Sequence, residues 1–268
     1  MTSTLMPRVS PDWLSLREPA DAAARAAELV TDLRERIGDA PRMVIHDLGC
    51  GTGSAARALA PKLPAAQHWI MWDRDPDLLA AALAGKPAGI TGTTRQRDIG
   101  TLSAADLAGA GLVTASALID ILTVDEVDAI AAACAGAGVP ALIMLSVVGR
   151  VELTPADPFD AEVAAAFNAH QRRTVGGRRL LGPDAVAALA DAFARHGVAT
   201  TLRPSPWQLG AGDQALVEVW FREWLAAAVD QVPALAAPAA GYARRRTAEI
   251  AEGRLTASVH HVDLLALP

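Results

Sequence analysis

The residues whose spacing carries the most chemistry lie at 44–54, V-I-H-D-L-G-C-G-T-G-S. An apolar run leads directly into Gly49, Gly51 and Gly53, and a helix is predicted to start near Ser54. Glycines there permit tight turning and let a ligand approach the backbone closely. The helix start adds free N–H groups and a positive dipole end. The loop reads G-x-G-x-G, not the G-x-G-x-x-G that cradles a dinucleotide pyrophosphate, and no G-K-[ST] follows to make a P-loop. Asp47, an acid inside the turn, would repel a pyrophosphate and favour a cation such as an α-ammonium. Asp73 follows Gly53 by 20 residues, where an acid accepts hydrogen bonds from ribose hydroxyls. Asp98, in R97-D-I99, is placed to accept from an exocyclic amine, and S116-A-L-I-D120 ends the next strand above the same pocket.

These residues need a frame that brings strand ends together. Short apolar runs at 43–48, 68–73, 90–98, 112–117 and 139–148 alternate with Ala-rich helical stretches at 54–61, 77–84, 103–108 and 124–136. That alternation is the signature of βαβ units around a parallel sheet. A helix is expected over 19–37, with Pro19 in its first turn and Gly38 at its stop. Beyond residue 150 the pattern breaks. A short helix (160–171), a loop, a helix (183–196) and a sixth strand (198–207) are expected, then helices over 213–230 and 241–252. The segment 232–241 reads as a loop, and 255–268 as a closing antiparallel strand.

Composition removes several classes. The 268 residues are 51% hydrophobic and 20% charged, too apolar for a disordered chain and without the repeats of a coiled coil or collagen. A net charge of -6 disfavours a non-specific nucleic-acid binder. Two cysteines make no disulfide framework, and there is neither a signal-peptide pattern nor an apolar run long enough to span a membrane. A reduced, cytoplasmic protein is the expectation. Cys50 reads as a small filler in the loop, Cys134 as core, and His46 as a packed histidine pointing away from Asp47.

The run D-L-G-C-G-T-G, followed by D-R-D-P, R-D-I and T-A-S-A-L-I-D, resembles the class I S-adenosylmethionine-dependent methyltransferases. The likeness covers about residues 43–148 and extends to the terminal strand. It implies a three-layer Rossmann-like α/β fold: a mostly parallel seven-stranded sheet, its last strand antiparallel, under a helical cap. It implies S-adenosyl-L-methionine as donor and S-adenosyl-L-homocysteine as product. By the same resemblance Asp47, Gly49, Cys50, Gly51 and Gly53 hold the methionine portion, Asp73 the ribose and Asp98 the adenine amine, with Arg74 and Ile99 near the ring. Ser116 and Ala117 line the methyl end. Where small-molecule members often carry a histidine pair, this chain has Ile119 and Asp120, so the resemblance supplies no base there.

Methyl transfer is a direct in-line displacement, and a base is needed only for a protonated acceptor. The expected acceptor is a small molecule. Methylation of RNA or protein, and a non-catalytic donor-binding subunit, are the alternatives. His170 is the expected base, with Asp120 able to hold an acceptor amine or hydroxyl. Phe167, Gln171, Arg172 and Arg173 are expected to bind acceptor, with Arg178 and Arg179 extending the basic cluster. Trp13 packs on the cleft and Arg17 meets the donor carboxylate if the N-terminal segment forms a lid. His260 and His261 alternate on a strand, so at most one is expected to reach the pocket. Trp220 and Trp224 share a helix face suited to core or to a homodimer contact. One domain is expected: lid 1–38, donor core 40–150, acceptor cap 151–182, and a C-terminal half, 183–268, that completes the sheet.

Overall fold

The computed structural model describes residues 9–38, 40–63 and 66–268; the first part of the expected lid, residues 1–8, lies outside them. The central strands are β1 (Arg42–Leu48), β2 (Ala66–Asp73), β3 (Thr91–Gln96), β4 (Leu112–Ser116) and β5 (Ala141–Thr154). Two more follow late in the chain, β8 (Ala199–Pro204) and β10 (Thr256–Leu267). The sheet order is β3-β2-β1-β4-β5-β10-β8. Pairing is parallel among the first five and antiparallel on both sides of β10. β1 and β4 are buried along almost their whole length, as a strand covered on both faces must be. The short β9 (Trp207–Leu209) pairs with the near end of β10, so the expected strand 198–207 is split around Ser205 and Pro206.

Helices cover both faces. Helices α2 (Ala27–Ile37), α3 (Ser54–Leu59) and α4 (Pro76–Ala84) bury Leu29, Leu33, Leu59 and Leu79 against one face. Helices α5 (Val124–Ala137) and α7 (Ala185–Arg195) bury Ile130, Leu189 and Phe193 against the other. Strands β5 and β10 overrun their neighbours. Their far ends, paired from Thr256 with Thr154 to Val259 with Val151, carry a third core. That core is made with α1 (Pro11–Ala24), α6 (Asp160–Gln171), α8 (Gln214–Gln231) and α9 (Ala236–Ala251). No helix among the described residues is long and apolar enough to cross a membrane.

Four expectations change. The helix expected at 19–37 is two helices, α1 and α2, broken at Arg25. Pro19 lies inside α1, which instead starts at Pro11 after Ser10; the Ser10 hydroxyl accepts from the Asp12 N–H at 3.2 Å. The supposed loop 232–241 contains the first turn and more of α9, because Pro238 sits where a helix needs no N–H. The expected helix at 103–108 shrinks to a single tight turn, Ala104–Leu107. The cap is also wider than an insertion at 151–182, since α8 and α9 join α6 over the overrunning ends of β5 and β10. Trp220 and Trp224, only 8% and 2% exposed, belong to this core and are not an external contact face.

A buried guanidinium ties the cap together. Arg246 donates to both carboxylate oxygens of Asp160 at 2.6 Å, to Glu249 at 2.8 Å and to the Pro155 carbonyl at 2.6 Å. Tyr242 donates to the same Asp160 at 2.6 Å. The N-terminal helix is held more lightly. Ser10→Ala removes its cap and is expected to cost about 1 kcal/mol, a drop of a few degrees in the unfolding midpoint read by circular dichroism.

Candidate active site

The carboxyl ends of β1, β2 and β4 open into a cavity of about 650 Å³. The chain turns out of β1 through Gly49, Gly51 and Gly53, with φ of +61°, +54° and +86°. A side chain is excluded twice over at Gly49, by that φ and because a Cβ would meet Leu118 Cδ1 at 2.6 Å. Gly49→Ala is therefore expected to weaken binding in this cavity at least tenfold, measured by calorimetry with S-adenosylhomocysteine. Gly53 turns the other way. It does not line the cavity but packs under α4, where a Cβ would lie 3.3 Å from Ala82 Cα.

Asp47 stands at the root of this loop. It is 1% exposed, it lines the cavity, and neither carboxylate oxygen has a hydrogen-bond partner. Burial pushes its carboxyl up to about 7; Arg25 opposes the shift and Asp73 adds to it. Arg25 is itself buried, donates to the Ser116 hydroxyl at 3.3 Å, and leaves Nε and Nη1 unpartnered. Its guanidinium is held below its ordinary value by burial, against the pull of Asp21, Asp263 and Asp47. Sequence reasoning missed Arg25, since an arginine amid helical charge carries no signal without the break between α1 and α2.

Asp73, Arg74, Asp98, Ile99, Ser116 and Ala117 line the same cavity, as do Cys50 and Gly51. Asp73 also staples the loop: its oxygens accept from the Gly51 and Asp75 N–H groups, each at 3.0 Å. Each oxygen keeps a lone pair for a further donor. Asp98 caps the next turn through the Gly100 N–H at 2.9 Å. The Cys50 thiol is driven up by burial, so it is a filler there and not a nucleophile. His46 accepts from Trp72 Nε1 at 3.2 Å and is pushed down to about 4, chiefly by burial. It is neutral and packed.

A second, smaller cavity of about 180 Å³ adjoins the first, and Trp13, Arg17 and Ala117 line both. Asp120 and Phe167 line it, and burial holds the Asp120 carboxyl above its ordinary value. Asn168 is there too; its amide donates to the Gly149 carbonyl at 2.7 Å. Arg17 does not stand free to meet a carboxylate. It is paired with Asp21 at 2.9 and 3.1 Å and lies 4.9 Å from the Trp207 ring centroid. Trp207 in turn donates to Asp21 at 2.9 Å.

The expected base and the basic cluster fall elsewhere. His170 lines neither cavity; its nearest charged neighbour is Asp230 of α8, 3.5 Å from Nδ1, and its pKa is lowered by burial and by Arg173. The cause is its place along α6. Asn168 turns to Gly149 of β5, while Phe167 meets Trp224 and His170 lies by Asp230, at two different places along α8. Gln171 packs against Gly182. Arg172 is paired with Asp184 at 2.6 Å and Arg173 donates to the His170 carbonyl at 2.9 Å. Arg178 is paired with Glu126 at 2.6 Å; it reaches the first cavity from the two-strand flap of β6 (Thr174–Val175) and β7 (Arg178–Arg179). Of the arginines expected to grip an acceptor anion, Arg172 and Arg178 thus already hold acids of the chain, and Arg173 a backbone carbonyl.

Both His260 and His261 line the second cavity, against the expectation of one at most. β10 shifts register against β5 between Val259 and His261, and a bulge there breaks strict alternation of side chains. Trp207, Trp220 and Trp224 complete the wall. Their spacing signalled core, and nothing in the sequence shows that this core has a hollow.

No protein-family profile and no curated protein sequence matches the chain. Solved structures do. The cyclopropane synthase MmaA2 from Mycobacterium tuberculosis aligns over 97% of this chain and 95% of its own at 12% identity, with a TM-score of 0.53. The mycolic acid cyclopropane synthase CmaA1, solved with SAH and CTAB, aligns over 90% and 83% at 11% identity and a TM-score of 0.50. The YcgJ protein from Bacillus subtilis aligns over 90% and 98% at 11% identity and a TM-score of 0.50. Taken with the strand order and the antiparallel β10, these likenesses establish that the chain shares the Rossmann-like fold of these structures.

Proposed function

We propose that the chain is an S-adenosylmethionine-dependent methyltransferase acting on a small molecule. The observation that carries this reading is the Asp47 carboxylate, buried with both oxygens unpartnered at the glycine loop, in one cavity with Asp73 and Asp98. The three acids match three donor groups of an aminoacyl nucleoside: an ammonium at Asp47, ribose hydroxyls at Asp73 and an exocyclic amine at Asp98. Arg25 lies behind this lining, coupled to Asp47 by charge and bonded to Ser116. The tight backbone at Gly49 and Gly51 leaves room for the methionine chain. CmaA1, which shares the fold, was solved with SAH.

The donor supplies a methyl group already activated by its sulfonium. The chain's own work is to align and to exclude water. Ala117, with φ of +51°, ends β4 on the wall common to both cavities, and Trp13 and Arg17 close that wall from α1. An acceptor held in the second cavity would therefore meet the donor across Ala117. The concave 180 Å³ of that cavity favours a small molecule over an RNA or protein strand. Calorimetry decides the donor: S-adenosylhomocysteine is expected to bind with micromolar affinity and NADH not at all. Saturable NADH binding, or none by S-adenosylhomocysteine, would overturn the reading.

A further inference from the structure

The second cavity has a composition more specific than its size. Trp13, Trp207, Trp220, Trp224 and Phe167 wall it, in a chain with 4% aromatic residues. Trp220 and Trp224 stack at 5.5 Å and 18°, Trp13 meets Trp207 edge-on at 6.5 Å, and Phe167 lies 6.5 Å from Trp224. Flat π faces around a gap favour a planar aromatic guest through offset and edge contacts. A single ring fits, since an apolar cavity of about 150 Å³ holds benzene and this one is about 180 Å³.

Three polar atoms in this wall have no hydrogen-bond partner; one, His260 Nε2, lies 3.4 Å from Glu152, and the other two have no ion-pair contact either. Trp224, 2% exposed, has an unpaired Nε1–H, and His261, 4% exposed, has an unpaired Nδ1. Burial, with Arg17 adding, lowers the His261 pKa to about 3, so the imidazole is neutral. One unmet group is a donor and the other a ring nitrogen of a neutral imidazole. Leaving either empty costs about 1–3 kcal/mol. A hydroxyl both donates and accepts, and so can satisfy either. A cation is disfavoured, because the Arg17 guanidinium already takes the place over Trp207 that a quaternary ammonium would seek.

We propose that this cavity is the acceptor site and that the acceptor is a neutral, single-ring aromatic compound methylated at a ring hydroxyl. The inference rests on the donor reading above. In the transfer, a lone pair of the phenolic oxygen forms the O–CH3 bond while the C–S bond breaks. The C–S pair stays on sulfur, leaving a neutral thioether, and the hydroxyl proton passes through the His261 Nδ1 lone pair to solvent. His261 orients the hydroxyl and, being neutral and a weak base, does not retain the proton.

The test uses the whole protein saturated with S-adenosylhomocysteine and follows probes by ligand-observed NMR titration. Phenol and catechol are expected to saturate. Cyclohexanol, alike in size but not planar, 2-naphthol, with two rings, and phenyltrimethylammonium are each expected to bind at least tenfold more weakly. With S-adenosylmethionine, the bound phenol is expected to give its methyl ether by mass spectrometry. Trp224→Phe keeps the ring and removes the N–H, and is expected to weaken phenol binding about tenfold with S-adenosylhomocysteine affinity unchanged. Tighter binding of the ammonium or two-ring probe, equal binding of cyclohexanol, or no saturation by phenol would overturn the acceptor class while the donor reading stands. Loss of S-adenosylhomocysteine binding by the unaltered protein would instead overturn both.

Discussion

Asp47→Asn is expected to weaken S-adenosylhomocysteine binding on the order of 100-fold and yet to make the free protein more stable at pH 8. The two effects share one cause. The carboxylate is buried with neither oxygen partnered, which is costly in the free protein and favourable once an ammonium arrives. Hydrogen bonds to a charged partner contribute about 1.5–3 kcal/mol, and every 1.4 kcal/mol is tenfold in affinity. For stability, the folded carboxyl titrates near 7 against an ordinary 3.8. Between those values the folded chain holds a proton that the unfolded chain has released, so stability falls as pH rises from about 4 to about 7. At pH 8 the accumulated cost is on the order of 4 kcal/mol at most, and the amide does not bear it. The unfolding midpoint of Asp47→Asn should therefore exceed that of the parent at pH 8, with the gap closing towards pH 4. Affinity of the parent should fall about tenfold per unit below pH 7, as Asp47 takes up its proton. A variant that binds normally, or melts lower at pH 8, would refute the role given to Asp47.

Asp263→Ala is expected to be the most destabilising single change at the sheet. Asp263 is 1% exposed. One oxygen accepts from the Leu145 N–H at 2.7 Å and the Ser205 hydroxyl at 2.6 Å, the other from the Ala26 N–H at 2.9 Å. Three demands meet in one carboxylate. Ala26 is the break between α1 and α2, Leu145 has φ of +55° in the middle of β5, and Ser205 is the interruption between β8 and β9. Alanine leaves buried donors unpaired at all three, a loss of about 3–5 kcal/mol. The midpoint should drop on the order of 10 °C. Asp263→Asn retains one acceptor oxygen and should lose less. A drop of under 2 °C for the alanine variant, in matched thermal scans, would show that these bonds are replaced by water.

Residues 43–148 were legible because local chemistry there is also global chemistry. A parallel strand buried on both faces must be apolar throughout, and the turn that follows must be glycine, so the pattern and the site coincide. Asp47, Asp73 and Asp98 could be placed for the same reason: each ends a strand at the one edge where the sheet opens. The cap had no such rule. His170 was singled out for its chemistry, but its place along α6 sets it beside Asp230 of α8, outside the cavity that Phe167 and Asn168 line. His261 was set aside by strand alternation, which a bulge then suspended. The tryptophans at 207, 220 and 224 read as core or subunit contact, and all three are buried. That they surround a space follows only from how α1, α8 and β10 meet.

The wall made by Trp13, Arg17 and Ala117 has one further consequence. It is a single surface with a ligand expected on each side. Any shift of α1 that one occupant causes is transmitted to the other without an intervening layer. Such coupling is reciprocal: if the donor multiplies acceptor affinity by some factor, the acceptor multiplies donor affinity by that same factor. The order in which the two ligands arrive then alters the route but not the ternary state reached.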